Sequence, residues 1–508
     1  FYSFPGRQNP TEGSGSAFPS SREFLLVMRL GVTFRIVGGL LMFFSATMLP
    51  PLFVSVFYQD GAHAIFIKAA AVIFASGFSL WLLFRRFTEA LRTKDGFLVT
   101  VLCYITLGCF SALPFTDSPN TALSLVDALF ESFSGLTTTG ATVMIGLESL
   151  PQSLLYYRQQ LQWLGGMGII VLAVAVLPML GIGGMQLYRT ETPGPVKDSK
   201  LTPRIKQTAM ALWSIYLSLT IACCLGYWVA GMSFFQALCH SFSTVAIGGF
   251  STFDASLGHF DSPAIEIVAI IFMLLSSLNF ALHFFCYRDR SLRSYWRDEE
   301  VRSFFIFILI AILIATAILA GSSDDGWQSF RLAAFHVVSM LTTTGFVTDN
   351  FAEWPNIVPY LLILGAFVGA CAGSTGGGLK VIRVLLLYKQ GLREIHRLIH
   401  PNAIFPIKIS HRVMTDNVME AVWGFCSIYV FVFVLLLLVL LGTGADFLTA
   451  FSSVAAALNN LGPGLGSVAE NYASLTDPAK SAMVVGMVLG RLEIFTILVL
   501  FTGMYWRK

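Results

Sequence analysis

The sequence predicts an all-α polytopic membrane protein, in which two leading helices precede four parallel helix–pore-loop–helix repeats around one central pore. Three observations support this fold class: an apolar composition, ten apolar runs of membrane-spanning length, and a short half-helix ending in glycine that recurs four times. Hydrophobic residues make up 55% of the 508 residues and charged residues only 12%, and the mean hydropathy is +0.72. Soluble domains carry about 25% charged residues, so this chain is an integral membrane protein.

The ten predicted spans follow from the length that a helix needs to cross a bilayer, about 20 apolar residues. Residues 1–27 are rich in Gly, Ser and Pro and lack an initiating Met, so we expect a flexible tail or cloning remnant, with Met28 as a natural start. The first apolar stretch is too long for a signal sequence and is expected to be retained. The spans are 34–58, 64–84, 97–115, 157–184, 207–231, 262–286, 304–321, 357–388, 416–442 and 481–504.

The distribution of charge predicts the orientation. Most Lys and Arg residues lie in the connections 85–95, 186–206, 287–303 and 389–412, whereas the opposite connections are mainly acidic. Cytoplasmic loops are enriched in Lys and Arg, and an even number of spans returns the chain to its starting side. Both termini are therefore predicted to be cytoplasmic, with an acidic outer face.

The last four outer connections contain an internal repeat that is aligned on a glycine. Gly140, Gly249, Gly345 and Gly462 are 109, 96 and 117 residues apart, and each follows about a dozen largely apolar residues, too few to cross a bilayer. An alanine stands twelve residues before each glycine, and a helix-capping type sixteen before. These are Ala128, Ala237, Ala333 and Ala450, then Ser124, Ser233, Ser329 and Asp446. The predicted units are leading helices 28–96 and repeats 97–190, 191–290, 291–400 and 401–508.

The segments that end in these glycines are predicted to form an ion filter. Non-helical backbone at membrane depth is tolerated only where it packs in protein or lines water. Glycine can adopt positive φ, and rings of backbone carbonyls can replace the hydration shell of a cation. The predicted ligands, mainly backbone carbonyls, are Thr138, Thr139, Gly140, Ile247, Gly248, Gly249, Thr343, Thr344, Gly345, Asn460, Leu461 and Gly462.

A glycine-rich stretch in the eighth span is the candidate gate. Six glycines between 365 and 378 are expected to break the helix. A packing seam or kink would explain them equally well, but Ser374 and Thr375 favour an unwound segment that faces a water-filled pore. The predicted gate is 372–379, followed by Lys380 and Arg383, which could extend towards the cytoplasm.

Arg491 lies near the middle of the last predicted span, where a charge costs about 2.5–3.5 kcal/mol. Glu493 is two residues further and faces elsewhere on a helix. Two partners remain open for Arg491: a watery pore with gate carbonyls, or a structural ion pair.

Other functional classes find little support in the sequence. A net charge of +3 without a long basic run excludes nucleic-acid binding. The segment 373–380 (GSTGGGLK) resembles a phosphate loop, but Leu379 breaks the required pattern. His396 and His400 have metal-binding spacing, although a solvated pair is the simpler interpretation. His240, His259 and His336 could sense protons or simply pack. We therefore expect no enzyme activity and no cofactor.

The segments TTTGAT, STVAIGGFST, LTTTGF and NNLGPG, each after a half-helix, resemble the filters of the Trk/Ktr/HKT superfamily, and most closely its bacterial TrkH/TrkG/TrkI-type potassium uptake subunits. The resemblance covers about 28–508. It implies K⁺ as the transported ion, because glycine occupies all four filter positions. It also implies that an intramembrane loop containing Gly373, Ser374, Thr375, Gly376, Gly377, Gly378 and Lys380, with Arg491 beside it as a positive barrier, gates the pore.

The same resemblance implies the setting: potassium uptake across the bacterial inner membrane by a multi-pass homodimer in membrane lipid, with a pore in each protomer. A cytoplasmic TrkA-type nucleotide-binding regulatory ring would control the gate. The alternative is a carrier that couples potassium to sodium or proton symport by alternating access. Carriers often use inverted repeats, so parallel repeats favour the pore.

Overall fold

A computed structural model describes residues 21–87, 95–117, 123–175, 205–322, 325–355, 357–410 and 412–506. The fold within these ranges is almost entirely helical. The one sheet of the described residues is a pair of antiparallel strands, Lys408–Ile409 and Arg412–Val413. Most of the predicted tail 1–27 and of the basic connection 186–206 lies outside the described residues.

Six described helical segments are long and apolar enough to cross a membrane, which establishes a multi-pass membrane protein. Two bent pairs raise this number to eight, against the ten predicted spans. The six segments are Leu30–Tyr58, His63–Phe84, Asp95–Thr116, Met210–Val229, Glu299–Ala320 and Asp416–Gly442. Leu30–Tyr58 combines the α-helices Ser21–Ser45 and Leu49–Tyr58 through the 3₁₀ turn Ala46–Met48.

The remaining predicted spans are interrupted or extend beyond the described ranges. The span 157–184 corresponds to the helix Gln152–Ala175, and the span 357–388 is divided into Val358–Val368 and Val381–Ile399. Five further helices span Ile205–Val229, Pro263–Ser276, Phe280–Asp289, Asp477–Arg491 and Ile494–Phe501. Short helical turns occupy Leu113–Thr116, Leu147–Ser149, Ser256–Phe260, Arg293–Arg297, Phe351–Glu353, Gly466–Val468 and Gly503–Trp506.

Two spans that the sequence analysis treated as continuous are sharply bent. Pro263–Ser276 and Phe280–Asp289 meet at 93°, because Asn279 caps the second helix by accepting a hydrogen bond from the Ala281 amide. Asp477–Arg491 and Ile494–Phe501 meet at 107°, where Glu493 has φ +56°. The predictions of unbroken helices at 262–286 and 481–504 are therefore wrong.

Four short helices precede the four aligned glycines, and we call them pore helices 1 to 4. They span Leu125–Leu136, Phe234–Ala246, Gly326–Leu341 and Phe447–Asn459. The four predicted alanines are fully buried, which explains why a larger side chain is absent at this position.

The predicted N-caps of three pore helices are confirmed. The side chains of Ser124, Ser233 and Asp446 accept first-turn amide hydrogen bonds. The prediction that Ser329 caps pore helix 3 is wrong, because this helix begins one turn earlier. The Asp325 side chain caps it by accepting hydrogen bonds from the Trp327 and Gln328 amides.

Candidate ion filter and gate

The backbone after each pore helix has the same unusual conformation in all four copies. The residue two before the aligned glycine is left-handed although it is not glycine, and the glycine itself also has positive φ. Such values are uncommon for side-chain-bearing residues, so four copies mark a constrained structure. The φ angles are Thr138 54°, Gly140 83°, Ile247 54°, Gly249 77°, Thr343 64°, Gly345 83°, Asn460 52° and Gly462 96°.

The four glycines also contact one another's segments in a closed cycle. A Cβ on any one of them would collide with the carbonyl oxygen that directly precedes the glycine of the next segment. The cycle runs from Gly140 to Gly248 O, from Gly249 to Thr344 O, from Gly345 to Leu461 O, and from Gly462 to Thr139 O. Only glycine fits such a close backbone approach. Because the fourth segment contacts the first, the four segments form a closed ring.

We call each pore helix, together with the segment that follows it, a quarter, numbered 1 to 4 in chain order. Quarters 1 and 3, which contain the sequence TTTG, differ from quarters 2 and 4 in their hydrogen bonds. In quarters 1 and 3 the flanking threonine hydroxyls bind each other, Thr137 to Thr139 and Thr342 to Thr344, both at 2.8 Å. In quarters 2 and 4 a side chain donates to a backbone carbonyl instead. Gln162 Nε2 binds Gly248 O at 2.6 Å, and Tyr472 Oη binds Gly462 O at 2.7 Å.

A second contact links quarter 4 to quarter 1 through side chains. Asn460 Nδ2 donates to Thr139 Oγ1 and to Met487 O, both at 3.0 Å. Each of these groups is buried, so the amide satisfies acceptors that water does not reach. The seam between the last and first segments is therefore held by specific hydrogen bonds.

A cavity of about 490 Å³ lies outside the ring and is lined by all four aligned glycines. Its charged lining residues are Asp254, Asp349, Glu470 and Arg158. Arg158 is paired with Glu131 at 2.7 Å, which leaves an acidic surplus in the lining of the cavity. Such a surplus raises the local concentration of cations.

The predicted gate segment lies within a longer break in the helix, residues 369–380. Gly369, Gly373 and Gly378 have positive φ there, as expected for residues that interrupt a helix. The loop contacts residues that precede the aligned glycines, whereas the cavity is lined by these glycines and by residues that follow them.

Three quarters bind this loop directly. Thr375 Oγ1 donates to Val245 O at 3.1 Å, and the Gly377 amide donates to Thr343 Oγ1 at 2.7 Å. The Gly378 amide donates to Asn459 O at 3.2 Å. Ser374 Oγ donates to Cys371 O at 2.6 Å. Ser374 and Thr375 are buried, and their hydroxyls bind backbone carbonyls. The segment is unwound, as expected, and packs against the protein in this structure.

Arg491 links the loop to the helix that follows quarter 1. Nη1 donates to Thr375 O at 2.9 Å, and Nη2 donates to Gly165 O at 3.0 Å. The side chain is buried, and its hydrogen bonds are to backbone carbonyls rather than to a carboxylate. Of the two alternatives left open by the sequence, the structure supports gate carbonyls. Lys380 Nζ donates to Gly376 O within the same loop.

Arg383 is not extended towards the cytoplasm, contrary to the sequence-based expectation. It is buried, pairs with Glu493 at 2.8 Å and lies over the Phe425 ring at 4.1 Å. A guanidinium stacked on an aromatic ring and bound to a carboxylate is a stable buried arrangement.

The histidines that the sequence singled out have structural partners. His240 and His336 are fully buried within pore helices 2 and 3, and both bind backbone carbonyls of their own helices. His259 stacks on Phe253 with a ring-centroid distance of 3.6 Å. His396 packs near Phe405, and within the described residues no group of three potential metal ligands forms around it or His400.

Sequence reasoning missed a polar run in the helix after quarter 1. Arg158, Gln159, Gln160 and Gln162 are all buried, and Gln162 contacts the ring through Gly248. Arg158 and Glu131 belong to the connections that the charge distribution predicts to face outward, but they form a buried pair. The available signal was that four of the five residues 158–162 are polar within a predicted span. Polar residues inside a membrane span are rare and usually have a function.

Comparison with known proteins places this geometry in a family. A family profile described as "TrkH: Cation transport protein" matches residues 62–508. The chain is 54% identical over 476 residues to the Trk system potassium uptake protein TrkH of Salmonella typhimurium, covering 93% of this chain and 99% of that protein. It is 43% identical over 479 residues to TrkG of Escherichia coli K12, covering 94% and 99%.

A solved structure has the same fold. The crystal structure of the potassium transporter TrkH from Vibrio parahaemolyticus superposes with a TM-score of 0.87 at 50% identity, covering 94% of this chain and 100% of that chain. The resemblance seen in the filter segments is therefore confirmed over almost the whole sequence. The chain belongs to the TrkH family of cation transport proteins, a family of transporters and not of enzymes.

Proposed function

We propose that this chain takes up potassium across the bacterial inner membrane through a gated, channel-like pore with a carbonyl selectivity filter. The observation that carries the proposal is the closed cycle of contacts between the four filter segments. Four constrained backbones around one axis can present rings of carbonyl oxygens in place of a hydration shell. The names of its relatives as potassium uptake proteins support potassium as the ion.

The filter in this proposal consists of the twelve residues that the sequence analysis names, in four non-identical quarters. Glycine stands at each aligned position, which the family resemblance associates with potassium. Gly248 O and Gly462 O already accept side-chain hydrogen bonds, so quarters 2 and 4 hold their carbonyls more tightly than quarters 1 and 3. This favours a filter with approximate rather than exact four-fold symmetry.

The gate in this proposal is the loop 369–380 together with Arg491. The loop binds three quarters at the inner end of the ring, so an ion leaving the filter meets packed protein. Arg491 adds a buried positive charge at the same place, and a charge in a low-dielectric setting repels a cation strongly. The described conformation therefore corresponds to a closed pore.

We place both termini and the basic connections in the cytoplasm, following the positive-inside pattern. The relatives are named as parts of a "Trk system", which implies partner subunits. We propose a homodimer in the lipid bilayer whose gate is controlled by a cytoplasmic TrkA-type nucleotide-binding ring. Purified protein should then bind such a ring, and potassium flux should change when nucleotide is added; unchanged flux would exclude this control.

Reversal potentials in planar bilayers test the main proposal. Purified protein is reconstituted with potassium on one side and sodium on the other, and the measurement is repeated across a pH gradient. A reversal potential set by potassium and independent of pH supports a selective pore. A potential that follows the sodium or proton gradient in a fixed ratio would overturn the pore and establish coupled symport.

A further inference from the structure

Each pore helix is tied to the segment beyond its filter glycine by a side chain near one repeated position. Nine residues before the aligned glycines stand Glu131, His240, His336 and Ser453. The segments that follow the glycines are irregular backbone at the edge of the outer cavity. A side chain that joins helix and segment fixes where the filter carbonyls lie, because the glycine stands between the two attachment points.

Quarters 2 and 3 use a neutral histidine for this attachment. His240 Nδ1 lies 2.8 Å from Gln236 O and Nε2 lies 3.0 Å from Ser251 Oγ. His336 Nδ1 lies 3.0 Å from Leu332 O, and the Thr348 amide donates to its Nε2 at 3.4 Å. His336 Nε2 also lies 3.3 Å from Asp349 O. None of these contacts is to a carboxylate, and both rings are fully buried, which favours the neutral form of the imidazole.

Quarter 4 uses the neighbouring residue. Ser452 Oγ accepts a hydrogen bond from the Leu465 amide at 2.9 Å, three residues beyond Gly462. The attachment is again neutral, and it again joins the pore helix to the backbone just outside the ring.

Quarter 1 alone among these four attachments is charged. Glu131 accepts from Thr142 Oγ1 at 3.0 Å and from the Val143 amide at 3.1 Å, two and three residues beyond Gly140. Arg158 Nε binds the same carboxylate at 2.7 Å. Both side chains are fully buried, so each charge depends on the other for compensation.

Arg158 also extends this attachment into quarter 2. Its Nη1 donates to Ser251 O at 3.0 Å and its Nη2 to Thr142 Oγ1 at 3.1 Å. The guanidinium lies over the Phe250 ring at 4.2 Å. One arginine thus holds the outer segments of two adjacent quarters, and a guanidinium provides the planar, fixed donor geometry that such a role needs.

We propose that the Glu131–Arg158 pair positions the filter, setting the potassium-over-sodium selectivity of quarters 1 and 2 without touching the ion. This inference rests on the proposed potassium pore. Selectivity is a difference between two affinities, and it depends on where carbonyls sit around the ion. Loss of the pair lets two of four quarters shift, which changes that difference while the helices remain packed.

Bi-ionic reversal potentials of reconstituted variants test the proposal. Glu131→Gln keeps the side-chain size but removes the charge, and we expect about a tenfold fall in the potassium-to-sodium permeability ratio, a shift of about 59 mV. Thr142→Val keeps both charges and removes one hydroxyl of the attachment, with a smaller fall expected. It provides the test if Glu131→Gln does not fold, as judged by size-exclusion chromatography and melting temperature.

Two controls separate positioning from general damage. Thr142→Ser restores the hydroxyl and should restore the wild-type ratio. Asp117→Asn removes an exposed ion pair with Lys68 on the leading helices, 2.6 Å in length, and should leave the ratio unchanged. Folded variants of Glu131 and Thr142 that keep the wild-type ratio would overturn the inference. A wild-type protein without potassium selectivity would instead overturn the proposed function itself.

Discussion

Replacement of Gly345 by serine tests the filter most directly. Gly345 has φ +83°, and a Cβ there would collide with Leu461 O and lie 2.6 Å from Pro463 Cδ. A side chain in the left-handed region costs about 1–2 kcal/mol, and overpacking costs about 1–3 kcal/mol. The strain of roughly 2–5 kcal/mol can be relieved only by moving the Leu461 carbonyl, since the glycine is held on both sides.

Moving this carbonyl removes one oxygen from its expected place in the ring. A loss of only about 1.4 kcal/mol in the discrimination between potassium and sodium is a tenfold change, which is less than the strain introduced. We therefore expect the permeability ratio of Gly345→Ser to fall about tenfold or more, which moves the bi-ionic reversal potential by about 59 mV towards the sodium value.

The matched control is Gly61→Ser in the loop between the two leading helices. Gly61 has φ +78°, but a Cβ there meets nothing within 4 Å. This variant carries the same conformational strain without the carbonyl collision, so its melting temperature should fall while its selectivity stays that of the wild type. Folded Gly345→Ser protein with unchanged selectivity would refute the assignment of this glycine to the filter.

Three further predictions concern the gate and stability. Arg491→Ala removes the donor to Thr375 O and should raise rubidium flux into proteoliposomes; lower flux with intact folding would contradict this. Glu300→Gln weakens the acceptor of the Ala372 amide and should raise open probability in single-channel records; unchanged gating would exclude this contact. Burial raises the pKa of Asp60, but four hydrogen bonds to the carboxylate outweigh this effect, so the pKa is lowered overall. The melting temperature of the wild type should therefore fall as the pH drops below about 4. This pH-dependent loss should be absent from Asp60→Asn.

The four short helices and the constrained backbone after each of them could be predicted because their signals are local and repeated. Buried alanines, capping residues and glycines recur at fixed spacing, and each has a physical reason that acts within one segment. The misplaced cap of pore helix 3 shows the limit of this argument. Alignment by spacing assumed equal helix lengths, whereas Asp325 adds a turn that the other three lack.

The features that the sequence did not reveal depend on distant partners. The bend after Ser276 is held by a hydrogen bond from the Phe280 amide to Gly373 O, and the burial of Arg383 depends on Glu493, 110 residues away. Neither partner is visible in a local hydrophobic pattern. The Glu131–Arg158 pair was missed for the same reason, since each residue alone resembles an ordinary outer-face charge.

The seam between quarters 4 and 1 has a consequence for biosynthesis. Asn460 binds Thr139 across 321 residues of sequence, so the ring closes only when the last repeat has been made. At about 5–20 residues per second, that takes roughly 15–65 s. During this interval quarter 1 has already been synthesised, but quarter 4, which binds it in the finished protein, has not. The first of the four segments must therefore rely on attachments within its own repeat, and a chain truncated before Asn460 lacks the residue that closes the ring.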